Sequence, residues 1–225
     1  NQQTKERFAI EAAAVAAAAP ALIWRRPSDH DCDRTEAIEV APIAIDGSGQ
    51  TVEVVGAGRL RGILLHKLME EFLNGELRED DREVEARATV LLEQLAGMEL
   101  ALQTVPPDPI EIAATALRTL RSAEITELRP QLMPEAAVWS GSDETGYVAG
   151  RADAVTVDEG RVIAVLDWKS DVSPTAKQRS DYVAQLTEYL VATGASRGAL
   201  VYMSLGETVW ITTNHDHASV VEEPA

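Results

Sequence analysis

Two periodicities divide this sequence. Between residues 60 and 123 apolar side chains recur every three or four positions; after Pro134 they alternate or run together in valine-rich stretches. Ile63, Leu64, Leu68, Met69 and Phe72 predict a helix that begins near Leu60 and stops at Asn74-Gly75. A second helix is expected over 84–100, with acidic residues early in it. A third is expected from Pro109 to about Ala123, after the break at Pro106-Pro107. Strands are expected at 136–139, 147–157 and 162–168, the last two joined by Asp158-Glu159-Gly160 as a three-residue hairpin loop. Ser173-Pro174 opens a helix over 175–193 that Gly194 closes, and strands follow at 199–204 and 208–212 across a turn at Gly206.

The two ends are less regular. Residues 1–24 read as an alanine-rich helix ending near Pro20. Residues 25–58 read as a connector with two short strands, 43–45 and 51–55, around Asp46-Gly47-Ser48-Gly49. From Asn214 the chain reads as a loose polar tail. The expected fold is therefore α/β, a mixed sheet flanked by helices with helical decoration at the N-terminus. Its expected divisions are 1–59 as helix and connector, 60–213 as the compact domain and 214–225 as tail.

Composition narrows the function classes. The chain has 225 residues, 45% hydrophobic and 25% charged, enough for a real core. Its one cysteine, Cys32, excludes an internal disulfide, an all-cysteine zinc site and an iron–sulfur cluster held by this chain alone. That usage points to a reducing compartment, so a cytoplasmic location is expected. No run is apolar and long enough to cross a bilayer, and the alanine run behind Lys5 and Arg7 contains Glu11, which reads as helix rather than signal peptide. The start at Asn1 is read as a piece of something longer. The net charge is −17, yet residues 145–197 hold six basic and seven acidic side chains, so the acidity lies mainly elsewhere. Proteins that grip nucleic acid alone usually show a basic surface, so the acidity either serves solubility alone or leaves that grip to a neighbouring domain or partner.

The candidate chemistry lies in Gly150-Arg151-Ala152-Asp153 and, fourteen residues on, Asp167-Trp168-Lys169. Residues two apart on a strand share a face, so Asp167 and Lys169 project together. With a three-residue loop Val157 faces Arg161, and Asp153 falls opposite Val165, diagonal to Asp167 at about 7–8 Å along the backbone. One residue more or less in the loop would separate the acids onto opposite faces. Both faces of this hairpin are otherwise apolar, and two acids with a lysine at its end need compensation. One solution is a plain ion pair of Lys169 with an aspartate. The other is a hard divalent ion such as magnesium, which takes carboxylate oxygens and can stabilise charge on a phosphate.

Other candidates are weaker. His66 by itself is an ordinary histidine between leucines. Glu135 fits a solvated helix–strand junction better than a site, and Glu70 a surface position. His215 and His217 have chelating spacing but no acidic scaffold. Trp24, Trp139 and Trp210 have the chemistry to stack on bases, with core packing as the default. Gly56-Ala57-Gly58 misses the dinucleotide spacing, and no "G-x-x-x-x-G-K-[ST]" phosphate loop is present, so ATP hydrolysis by this chain is not expected.

Taken together, "G-x-x-D" at Gly150–Asp153, Val165-Leu166-Asp167-Trp168-Lys169-Ser170-Asp171, Gln185-Leu186-Thr187-Glu188-Tyr189 and an upstream "G-x-x-x-H" at Gly62 and His66 resemble the RecB/AddA branch of the PD-(D/E)XK nucleases. The resemblance covers roughly residues 60–211 and departs mildly: Trp168 stands for the usual tyrosine, Ser170 for threonine. It implies His66, Asp153 and Asp167 as metal ligands with the Trp168 carbonyl as a further one, Lys169 as the catalytic lysine, and Gln185 and Tyr189 steadying the site and the DNA strand. It implies Mg2+, with Mn2+ as substitute, and an exonuclease-like DNA nuclease domain following a UvrD-like helicase, with an AddB-like partner subunit, single-stranded DNA as substrate and a part in double-strand break repair. The competing expectations are a catalytically silent nuclease-fold module for DNA binding or assembly, and a stand-alone restriction-type endonuclease.

Overall fold

A computed structural model describes residues 2–18, 24–27, 58–99, 107–142, 146–214 and 217–221. The expected strands at 43–45 and 51–55, and His215, lie outside these residues. The elements are α1 (Gln2–Ala18), β1 (Trp24–Arg25), α2 (Arg59–Leu73), α3 (Asp81–Glu99), α4 (Pro109–Leu120), α5 (Ala123–Leu128) and a 3₁₀ turn (Arg129–Gln131). Then come β2 (Leu132–Ser142), β3 (Gly146–Asp158), β4 (Arg161–Lys169), α6 (Ala176–Thr193), β5 (Arg197–Tyr202), β6 (Glu207–Asn214) and β7 (His217–Val221).

Local chemistry sets the boundaries. Asp108 caps α4 by accepting the Ile110 N–H, with Pro109 at the first helical position. Thr175 and Gln178 form a reciprocal capping box on α6, and Gly194 ends it at φ 71°. The third expected helix runs only to Leu120; Ser122 then starts the short α5.

Among the described residues the strands form one seven-stranded mixed sheet in the order β1-β3-β4-β5-β6-β7, with β2 on β3. β4 and β5 are parallel, joined by the α6 crossover, while β3–β4, β5–β6 and β6–β7 are antiparallel. Leu60, Leu64, Leu65, Leu68 and Phe72 of α2 pack with α3 and α4 against Ala154, Leu166, Trp168, Ala199 and Val201 on one face. Tyr182, Leu186, Tyr189 and Leu190 of α6 pack on the other against Val155, Val165, Leu200 and Ile211. The expected α/β layering is present. β7 is an addition to it: residues 217–221, read as loose tail, pair with β6 from Asn214↔His217 to Trp210↔Val221.

The β3–β4 hairpin departs from expectation instructively. Asp158 pairs with Arg161, so the turn is the two residues Glu159-Gly160, both at positive φ, rather than three. By itself that one-residue change would have put the two aspartates on opposite faces. A bulge between Thr156 and Val157 restores the parity: Val155 pairs with Val165 and Ala154 with Leu166, where the ladder ends one residue short of Asp153 and Asp167.

Candidate active site

α2 brings the first side chain. A Cβ on Gly62 would stand 2.8 Å from Ser170 Oγ, so the glycine lets the helix close on the end of β4. One turn later, on the same helix face, His66 reaches the hairpin, with Nδ1 3.2 Å from Asp153 Oδ1. Asp153 Oδ2 accepts the Trp168 N–H at 2.7 Å, filling the place where the β3–β4 ladder stops.

Asp167 and Lys169 leave β4 toward α6, as strand alternation requires. Lys169 Nζ donates to Gln185 Oε1 at 2.7 Å and sits 4.1 Å from the centre of the Tyr182 ring. The same ammonium lies 2.9 Å from Asp167 Oδ2, yet that oxygen is buried and accepts no aligned hydrogen bond. Tyr182 in turn donates to Asp171 Oδ2 at 2.7 Å.

The electrostatics are asymmetric. Burial works against charge on Asp153, but His66, the hydrogen bond from Asp167 and the Trp168 N–H outweigh it and hold the carboxyl below the usual range. Asp167 goes the other way: burial first, then the Asp153 charge, push its carboxyl up against the pull of Lys169. His66 is raised because Asp153 more than offsets its burial. The cluster therefore sets two carboxyls against the Lys169 ammonium and the His66 imidazole, and protons are shared among them. A hard cation suits that donor set, offering charge to the acid pair. Among the described residues no three His, Cys, Asp or Glu side chains already stand spaced around a common point. The reason is visible: Asp153 spends its oxygens on His66 and Trp168, and an ion would take over the first of these contacts.

The four expected centres thus converge. Gln185 and Tyr189 sit on α6 as expected but face inward, 6% and 4% exposed, where contact with a DNA strand is not what they make. Gln185 holds Lys169. Tyr189 donates to the Arg151 carbonyl at 2.8 Å, and its ring is why residue 150 is glycine, since a Cβ there would lie 2.9 Å from Tyr189 Oη. Burial and the Asp167 and Asp153 charges push the Tyr189 phenol up to about 12, so it remains a donor.

Three residues went unread in the sequence. Tyr182 precedes Gln185, Leu186 and Tyr189 by three, four and seven positions, so helical spacing alone groups it with them. Asp171 stands within the quoted motif. Arg61 is 2% exposed, forks onto Glu111 at 2.9 and 2.7 Å, and donates to the Ser170 carbonyl at 2.8 Å and Ser204 Oγ at 2.9 Å. Its signal was a charge on the Leu64-Leu65-Leu68 stripe. Glu135, at φ 53°, pairs with Arg151 at 3.2 Å rather than with the acid cluster. Glu70 pairs with Lys67 at 2.8 Å. The backbone of residue 217 belongs to β7.

A family model described as the PD-(D/E)XK nuclease superfamily matches residues 49–224. No curated protein matches. Among solved structures, one titled "Crystal structure of SSO0001" shares 20% identity with this chain over 75% of it and 79% of that chain, with a TM-score of 0.32.

Proposed function

Because the chain belongs to the PD-(D/E)XK nuclease superfamily, we propose that it hydrolyses phosphodiester bonds in DNA at the His66–Asp153–Asp167–Lys169 cluster. Membership brings a nuclease-type function; the residue roles, the metal and the substrate are our reading. The observation that carries it is a close acid pair, Asp167 buried and Asp153 half-buried, beside an ammonium that Gln185 already holds in place.

His66, Asp153 and Asp167 would hold one divalent ion, magnesium with manganese as substitute, and the Trp168 carbonyl is a further ligand candidate. When bound, the ion polarises the scissile phosphate and makes hydroxide available near neutral pH. The Trp168 N–H fixes one Asp153 oxygen, leaving the other, which now meets His66, for the ion. Lys169 supplies positive charge where negative charge builds on the phosphate. Gln185 and the Tyr182 face hold that ammonium in one orientation, which is preorganisation rather than substrate contact. Tyr189 braces β3 one turn of strand before Asp153. Met203 N–H and the Arg61–Ser204 pair fix the Lys169 and Ser170 carbonyls, so the end of β4 cannot slide.

At a finer level we propose the RecB/AddA branch: a C-terminal, exonuclease-like nuclease domain fed by a helicase, with an AddB-like partner, acting in double-strand break repair. The order of the four motifs supports this, and so does an acidic chain that leaves DNA grip to neighbours. Comparing the purified chain with Asp167→Ala on end-labelled single-stranded DNA, with magnesium and with EDTA, tests the enzyme. Cleavage is expected only from the parent with magnesium. Equal behaviour of the two proteins removes the reading, and sequence-specific duplex cutting transfers it to a restriction-type enzyme.

A further inference from the structure

His66 is the one proposed ligand that the β3–β4 hairpin does not carry, so the cluster is well formed only when α2 is correctly seated. Apolar packing does not by itself seat a helix that closely. Leu60, Leu64, Leu65 and Leu68 lie with Ala154, Leu166 and Trp168, and such contacts have no direction. Gly58, which opens α2, supplies no side-chain cap. Lys67 and Glu71 bond to Glu70 and to Arg87 of α3 rather than to the sheet.

Arg61 does reach the sheet, at the point where β4 leaves the cluster. Its Nη1 donates to the Ser170 carbonyl at 2.8 Å and to Ser204 Oγ at 2.9 Å, and Ser204 Oγ donates to the same carbonyl at 2.7 Å. Nε and Nη2 take the Glu111 carboxylate of α4 at 2.9 and 2.7 Å. All three nitrogens of a planar group are engaged, so it can neither slide nor turn. Ser170 directly follows Lys169 and stands three residues past Asp167. His66 stands five residues past Arg61, about 7.5 Å along one continuous helix. Stiff elements alone thus connect the hairpin acids, through this joint, to the imidazole. Stability gives little reason for a charge here: Arg61 is 2% exposed among leucines, and apolar replacement of both partners of a buried ion pair is commonly tolerated. Registry, the seating of one element on another, is the best-attested use of such a pair.

We infer that Arg61 is a positioning residue for the metal: held by Ser170 and Ser204, it sets the phase of α2 on the hairpin, and with it the approach of His66 to Asp153 and to a divalent ion. The inference rests on the nuclease reading and deepens it by naming what holds the two halves of the site together.

Three variants separate seating from folding. Arg61→Met with Glu111→Leu removes the joint without stranding a charge. Ser204→Ala loosens it at a half-buried position, and Glu111→Gln weakens the fold while leaving the Ser170 and Ser204 bonds. Each protein is read below its melting temperature in two ways. Imidazole-nitrogen NMR in EDTA, with the His66 signal assigned by its loss in His66→Ala, sees the His66–Asp153 contact with no metal present. The EPR signal of free manganese gives the affinity for the ion. In the double variant the His66 signal is expected to move to that of a solvated imidazole, and manganese affinity to fall about tenfold. Ser204→Ala should lose about threefold, and Glu111→Gln should match the parent in both readouts. Added to His66→Ala, none of these changes should weaken manganese binding further by more than about twofold. A double variant with the parent's His66 signal and manganese affinity overturns the inference. So does a Glu111→Gln protein that loses both, or an Arg61 effect of equal size with and without His66. Should the double variant not fold, Ser204→Ala decides alone by the same comparison. A parent that binds no manganese removes the metal reading and this inference with it, whereas a parent that binds while the variants match it removes the inference alone.

Discussion

Two glycines and a glutamine show how much of the site is fixed one residue at a time. At Gly150 a methyl group would meet Tyr189 Oη, Tyr189 Cε1 and Pro27 Cδ at 2.9, 3.1 and 3.2 Å, and the ring cannot retreat while its hydroxyl is bonded to Arg151. Gly150→Ala should cost about 1–3 kcal/mol of stability in urea denaturation. Gly62→Ala should cost less, because Ser170 Oγ can rotate aside. Gln185→Leu leaves the buried Lys169 ammonium without its 2.7 Å acceptor. We expect cleavage to fall about tenfold or more, equivalent to roughly 1.4 kcal/mol, while oligonucleotide affinity holds; an equal fall in both would contradict an orienting role. The spacing of Gly62 to His66 and of Gly150 to Asp153 was legible, but the contacts that demand glycine were not. Those contacts are with Ser170 and Tyr189, far away in sequence.

Among elements, the decisive joint lies between α2, α4 and the end of β4. Arg61 ties all three through Glu111, Ser170 and Ser204. Removing one partner of such a buried pair costs about 3–5 kcal/mol, so Arg61→Met should lower the melting temperature sharply and Arg61→Met with Glu111→Leu should recover part of the loss. Burial alone would raise the Glu111 carboxyl, but the Arg61 and Thr115 hydrogen bonds prevail and hold it below its ordinary value of about 4.5. A carboxyl depressed on folding stabilises the protein above the unfolded value and loses that contribution as pH falls through the folded one. The melting gap between parent and Glu111→Gln should thus be full near neutral pH and close below about pH 4.5. Helix and strand periods gave the order of these elements. They did not give the hairpin register, because the two-residue turn and the bulge each shift the pairing by one residue in the same direction, which keeps the parity but moves the register by two. They also missed β7, whose pairing partner is settled by the preceding strand rather than by its own short sequence.

For the whole molecule, the balance between a strongly acidic chain and a cation-seeking site governs behaviour. A ligand that binds only the folded state raises its stability by mass action, so saturating magnesium should raise the melting temperature of the parent and not of Asp167→Ala. The acidic composition was plain in the sequence. Its uneven spread along the chain was legible there too; that β1 sets Arg25 beside Val148 of β3 was not. The most direct test is anomalous diffraction from crystals of the chain soaked in manganese. The account predicts a peak bounded by the Asp153 and Asp167 carboxylates and the His66 imidazole, absent from Asp167→Ala crystals. A saturated crystal with no peak there, or with those three side chains still paired to one another, would contradict it.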